Sequence, residues 1–201
     1  HGGVAKADLN NEDLEALEKG LPNLLQHVEN VRKVFGLPCV VAVNAFPADT
    51  AAELKLVEDK CKELGVNVAL SEVWAKGGAG GETLAKEVLR LCEQPGEFHY
   101  CYDAHDSIEA KLCAIATKIY HADGADLTAN AKTQLQQLTE LGYGDLPICV
   151  AKTQYSFSDD ASLLEPAPHD DLRASDRLGP GVARSLHPGA QSIGCSKIVV
   201  R

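Results

Sequence analysis

Two aromatic residues stand just beyond short apolar runs, where an open α/β sheet would bind a ligand. Phe46 lies in Asn44-Ala-Phe-Pro-Ala-Asp-Thr50. Trp74, the sole tryptophan, lies in Ser71-Glu-Val-Trp-Ala-Lys-Gly-Gly78. In such sheets ligands sit outside the carboxyl ends of the strands, and adjacent strands would bring both segments to one crevice. Two rings flanking a crevice can hold a flat heterocycle by stacking. Spacing alone favours the other reading, in which both rings are core packing, since most aromatics are buried.

Two further segments carry polar chemistry. Lys76-Gly-Gly-Ala-Gly-Gly81 precedes a helical pattern and could bring backbone N–H groups close to an anion. It is neither GxxxxGK[ST] nor GxGxxG, so a flexible turn is the plainer reading. Lys152-Thr-Gln-Tyr-Ser-Phe-Ser-Asp-Asp160 is dense in donors and acceptors and follows an apolar run. It reads either as a solvated turn or as a loop that binds a nucleotide or a carboxylate. The seven histidines form no HxxxH or HExxH pair, and GxSxG is absent, which disfavours zincin and nucleophile-elbow chemistry. No catalytic residue and no metal ligand stands out.

Composition narrows the class. Hydrophobic residues make up 45% and charged residues 24%, with a net charge of −10. That is ordinary globular composition. The acidic balance argues against a nucleic-acid partner, but a small anion needs only a local positive site. Seven cysteines occur without any CxxC, several within apolar runs such as PCVVAV. They read as buried, reduced thiols, which points to a reducing, cytoplasmic setting. No run approaches the ~20 apolar residues of a membrane-spanning helix. The absence of methionine suggests a chain that starts within a longer gene product.

The elements that would position these groups can be read in order. Glu12 to Lys19 reads as a helix with Asn11 as N-cap and Gly20 as its stop, and Pro22 opens a second helix that ends at Gly36. Cys39 to Asn44 is a continuous β-branched run, expected to be a parallel strand buried on both faces. Thr50 and Glu53 form a capping box for a helix to Leu64, with Gly65 as its C-cap. Val66 to Leu70 is the next strand. Helices follow over Glu82–Cys92, from Asp106 or Ser107 to Tyr120, and over Ala129–Leu141. Leu146 to Ala151 reads as a strand. Beyond Leu164 no periodicity remains.

Six ordered segments together resemble formate–tetrahydrofolate ligase: HGGVAKADLN from His1, NAFPADT from Asn44, ALSEVWAKGG from Ala69, IYHADG from Ile119, LGYGDLP from Leu141 and AKTQYSFSDD from Ala151. The resemblance spans about residues 1–164. It implies ATP-dependent joining of formate to N10 of tetrahydrofolate through formyl phosphate, with Mg²⁺ and a monovalent cation. By resemblance, Phe46 and Trp74 would hold the pterin, with Leu70, Ser71 and Ala75 lining the crevice. Lys152, Thr153, Gln154, Tyr155 and Ser156 would approach the nucleotide.

The expected architecture is α/β, part of a parallel, P-loop-NTPase-like sheet plus a second α/β lobe. Residues 1–37 would be helical parts of that lobe, 38–81 the end of the sheet domain, 82–164 the second lobe and 165–201 a disordered or non-native tail. The family's Lys-containing phosphate loop has no counterpart in this sequence. The chain is therefore expected to supply the folate side and to be inactive alone. Its partners would be small molecules, neither nucleic acid nor membrane, within a homo-oligomeric parent. The alternatives are a non-catalytic module that binds a heterocycle or a protein, and a different ATP-dependent enzyme on the same scaffold.

Overall fold

A computed structural model describes residues 3–127, 129–148, 150, 157 and 198–200. The chain divides into two compact units, His1–His99 and Tyr100–Arg201.

In the first unit, α1 (Leu14–Glu29) is one continuous helix capped by Asp13, whose side chain accepts the N–H of Ala16. The expected break at Gly20 and restart at Pro22 does not occur. Glycine and proline each weaken a helix interior, proline by about 3 kcal/mol. Here Ala16 before them, Leu21 between them and Val28 after them are buried, and that tertiary burial overrides the local signals. A π-helical turn, Asn30–Val34, follows.

Strand β1 (Val40–Asn44) pairs in parallel with β2 (Asn67–Ser71), in the register Val41↔Val68, Asn44↔Ser71. Helix α2 (Ala51–Glu63) connects them. Among the described residues the sheet of this unit has two strands, so this is a small mixed α/β arrangement. The expectation of burial on both faces is corrected. Within β1, Val41 is buried and Val43 partly so, whereas Ala42 and Asn44 on the opposite face are exposed; the buried residue of β2, Ala69, lies on that opposite face, paired with Ala42. One face carries a core of Val28, Val41, Cys61 and Val66, to which α1, β1 and α2 all contribute.

The crossover helix is defined by its ends. Thr50 accepts the N–H of Glu53, and the Glu53 carboxylate accepts the N–H of Thr50, which completes the expected capping box. The same carboxylate also accepts the N–H of Asp13 at 3.2 Å, so one side chain caps α2 and ties it to the start of α1. At the other end Gly65 takes φ +67°, which glycine adopts without strain. These bonds hold the Glu53 carboxyl below its ordinary range, through the Thr50 N–H first and the Asp13 N–H second.

A group depressed in the folded state stabilises above its unfolded pKa, about 4.3 for glutamate. That contribution is lost as pH falls through the lower folded value. Glu53→Gln keeps an acceptor for the capping box and loses only the charge, so it is expected to cost about 0.3–1 kcal/mol at neutral pH. The deficit should shrink below about pH 4. Denaturant unfolding of both proteins at pH 7 and pH 3.5 measures it, and a deficit that does not change with pH refutes the assignment.

A short helix α3 (Val73–Lys76) and a 3₁₀ segment (Gly77–Gly81) lead into α4 (Glu82–Cys92), with the bounds expected for α4. Helix α4 lies in the first unit. Its Glu87 accepts a 2.8 Å bond from Asn67 of β2 and pairs with Arg90. Hydrogen bonds from Arg90 and then Asn67 pull the Glu87 carboxyl down to about 2.

In the second unit, Ser107 caps α5 (Ile108–Ile119) by accepting the N–H of Ala110. Strand β3 (Ala125–Leu127) and helix α6 (Ala129–Glu140) follow. Strand β4 (Ile198–Val200) pairs antiparallel with β3. Neither three-residue strand was expected, and β4 lies within the segment read as an irregular tail.

Residues 146–148 and 150 are not a strand, contrary to expectation. Side chains satisfy this backbone instead. Tyr102 Oη donates to the carbonyl of Ile148 and accepts its N–H, both at 2.8 Å. Lys111, fully buried on α5, donates to the carbonyls of Gly144 (3.0 Å) and Leu146 (3.2 Å).

Candidate functional site

The parallel register sets the candidate site. Asn44 and Ser71 are the last paired residues, and Ala45 N–H donates to the Ser71 carbonyl at 3.0 Å, carrying the pairing one residue further. Both chains then leave the sheet side by side. Phe46 follows two residues after Asn44, and Trp74 three after Ser71. Their ring centroids lie 6.2 Å apart with 49° between planes.

Both rings are open to solvent, Phe46 at 49% and Trp74 at 67% exposure. The core-packing reading favoured by spacing alone is therefore overturned. Exposed aromatic rings in mutual contact at a strand terminus present an apolar, stackable surface.

Local bonds hold each ring's backbone. Asp49 accepts the Phe46 N–H at 2.7 Å and donates its own N–H to the Phe46 carbonyl at 3.0 Å, closing the Phe-Pro-Ala-Asp turn. Glu72 N–H donates to the Gly80 carbonyl at 3.0 Å, and the Glu72 carboxylate pairs with Lys76. Sequence reasoning did not assign these roles to Asp49 and Glu72. An aspartate three residues after Phe46, beyond a proline, was the available signal for the first turn. The second joins residues eight apart and had no such signal.

The glycine-rich segment is thus a wound 3₁₀ turn rather than a flexible loop, and it packs against residues 72–73. A Cβ at position 80 would lie 2.4 Å from the Glu72 carbonyl oxygen, while one at position 78 would meet nothing within 4 Å. Gly80→Ala is expected to displace the Glu72–Trp74 turn and cost about 1–3 kcal/mol. The tryptophan emission should shift. Gly78→Ala is the control that should leave the emission maximum in place, and equal spectra for the two variants would refute the packing argument.

The remaining expected residues are distributed unevenly. Leu70 (42% exposed) and Ser71 (partly buried) end β2, and exposed Ala75 sits one residue past Trp74 on α3. Lys152, Thr153, Gln154, Tyr155 and Ser156 lie outside the described residues.

The tilt of the ring pair bears on how it could work. A planar ligand between two parallel rings needs about 7 Å between them, twice the optimal carbon–carbon contact. The pair as it stands is closer and splayed. A ligand would therefore part the rings by side-chain rotation, which their exposure permits, or stack on the open indole face.

Phe46 also lines a cleft of about 370 Å³, bounded by Leu9, Asn10, Asn11 and Leu17, the end of β1 and the start of α2. Among the described residues no group of three or more His, Cys, Asp and Glu converges to hold a metal. No helix among them is long and apolar enough to cross a membrane.

Comparison with protein-family models matches residues 1–172 to formate–tetrahydrofolate ligase, past the point near Leu164 where the resemblance was expected to end. Members of that family are carbon–nitrogen ligases acting on small molecules, ATP and tetrahydrofolate among them. A match over this much of a 201-residue chain, with its strand termini arranged as described, shows that the protein belongs to the formate–tetrahydrofolate ligase family.

Proposed function

We propose that this chain supplies the folate-side pocket for ATP-dependent joining of formate to N10 of tetrahydrofolate, with formyl phosphate as the intermediate. Phe46 and Trp74 hold the pteridine, and Leu70, Ser71 and Ala75 contribute the neighbouring wall. The observation that carries this reading is the open ring pair at the paired strand ends, in a chain of this family. Residues 38–81 make up the folate-side part of the sheet domain.

Phosphoryl transfer needs fixed positive charge or backbone N–H groups around the γ-phosphate, usually with Mg²⁺. The sequence contains no GxxxxGK[ST] loop, and the described residues offer no acidic metal cluster. On this reading the residues of the folate-side pocket do not themselves carry the formyl-phosphate step. Lys152–Ser156 are assigned to the nucleotide side, and ATP, Mg²⁺ and a monovalent cation to the reaction, on family resemblance alone.

Trp74 is the sole tryptophan, so its emission reports the site without a label. Titration of the chain with tetrahydrofolate should quench it saturably, and formate or ATP alone should leave it unchanged. No response to tetrahydrofolate would overturn the proposal.

A further inference from the structure

Strand β2 pairs with β1 along one edge, and among the described residues no strand pairs with its other edge. The pleat turns Val68 to the face that packs against α2, with Val41 and Cys61. It turns Asn67 to the opposite face, where its side chain donates to Glu87 of α4. Helices therefore stand on both faces of β2. Between them runs a groove of about 380 Å³, with Asn67 to Ala69 as its floor. Glu58 and Lys62 of α2 form one wall, and Lys86, Glu87 and Arg90 of α4 form part of the other. A groove that reaches both helices and β2 but takes no described residue of β1 follows the free edge.

An open strand edge offers unpaired N–H and C=O groups to another extended chain, and edges are commonly guarded by lysine, proline or a bulge on the strand itself. Strand β2 reads Asn-Val-Ala-Leu-Ser, with neither charge nor proline, and its register against β1 runs without a bulge. The charges stand on the flanking helices instead, and they come as acid–base pairs about one turn apart. Glu58 pairs with Lys62 on α2, and Glu87 pairs with Arg90 on α4 at 2.7 Å. Lys86, the remaining charge of the lining, pairs with Glu82 at 3.5 Å.

That pattern is self-complementary. A two-fold axis perpendicular to the sheet sets β2 antiparallel to the β2 of a second copy and keeps each helix on its own face. Helix α2 then runs antiparallel to its counterpart, so Glu58 of each copy comes opposite Lys62 of the other. Helix α4 does the same with Glu87 and Arg90. The chain's net charge of −10 repels copies from one another, so contact between them needs such a local match. We infer that the free edge of β2 pairs with a second copy of this chain, giving one sheet in the order β1-β2-β2-β1 across a two-fold axis. Backbone pairing and burial of the strand edge supply the affinity. The ion pairs are about half exposed, so they set orientation more than strength.

Sedimentation velocity of the full chain over a concentration series tests this. It should show a monomer–dimer equilibrium that stops at the dimer, because pairing uses the β2 edge of both copies. Glu58→Lys and Lys62→Glu each set like charges opposite one another at two symmetric places, and each should weaken the dimer about tenfold. The double variant Glu58→Lys/Lys62→Glu restores opposite charges across the axis. It should return to within about threefold of the unmodified chain. Amide exchange within residues 67–70 should slow as concentration rises.

Four outcomes overturn the inference. A chain that sediments as a monomer throughout has no such pairing. Association that continues past the dimer places the contact elsewhere, since the β2 edges would already be used. A dimer indifferent to both single reversals is built on another surface. Single reversals that weaken the dimer without rescue by the double variant show that the charges act within one copy rather than across the axis. None of these outcomes touches the folate reading, which rests on the ring pair.

Discussion

Lys111→Met will lower the unfolding free energy of the second unit by about 2–4 kcal/mol, the largest stability loss expected from a single substitution in this chain. The side chain is fully buried, and its Nζ donates to the carbonyls of Gly144 and Leu146. Methionine keeps most of the volume and the apolar stem, so little of the change is cavity formation.

Two effects oppose one another. Removing the nitrogen relieves the cost of burying an ionisable group. It also strands two partly buried carbonyls, at about 1–3 kcal/mol each. The second effect should win, because these carbonyls belong to a segment with no strand partner to replace the lysine. Tyr102→Phe removes a hydroxyl that serves both the N–H and the carbonyl of Ile148, and should cost less, about 1–2 kcal/mol, because bonds to a neutral group are weaker than those from a charged amine. Denaturant unfolding and amide exchange at Ile148 measure both. A neutral or stabilised Lys111→Met variant would show that desolvation relief dominates and that water satisfies the two carbonyls.

The same segment shows where sequence reasoning stops. Leu146 to Ala151 has the apolar run of a strand, but what satisfies residues 144–148 comes from Tyr102 and Lys111, more than 30 positions away. Nothing in the run itself could reveal a lysine and a tyrosine standing in for a neighbouring strand.

Features that depend on a few adjacent residues were legible: the Thr50–Glu53 box, the positive φ at Gly65, the Ser107 cap and the bounds of α4. The parallel pairing of β1 and β2 was legible too, because a β-branched run, a capped helix and a second run leave few other arrangements. Helix α1 shows the reverse. Gly20 and Pro22 are genuine local breakers, and burial of Leu21 and Val28 carries the helix through both. The candidate site sat between these cases. The placement of Phe46 and Trp74 beyond two strand ends was readable, whereas their exposure was not, since composition makes burial the default for any aromatic.

That exposure decides the second large prediction. Trp74→Ala, made in an active ligase that contains these 201 residues, will weaken tetrahydrofolate binding about 50–300-fold and leave ATP affinity within about threefold. Covering one face of an indole removes on the order of 80 Å² of apolar surface from water, about 2 kcal/mol. The stacking geometry adds about 0.5–1.5 kcal/mol. Because Trp74 is 67% exposed without ligand, truncation deletes little native packing. The variant should therefore melt near the parent, which separates lost binding from lost fold.

Trp74→Phe should recover most of the affinity, since a smaller ring still stacks. Phe46→Ala should lose less than Trp74→Ala, and the double variant less than the sum, because the two rings already touch at 6.2 Å. Fluorescence is lost with the only tryptophan, so dialysis with labelled ligand is the measurement. Equal losses for tetrahydrofolate and ATP would show that the indole acts through the fold, and the ring pair would then not be the pteridine's seat.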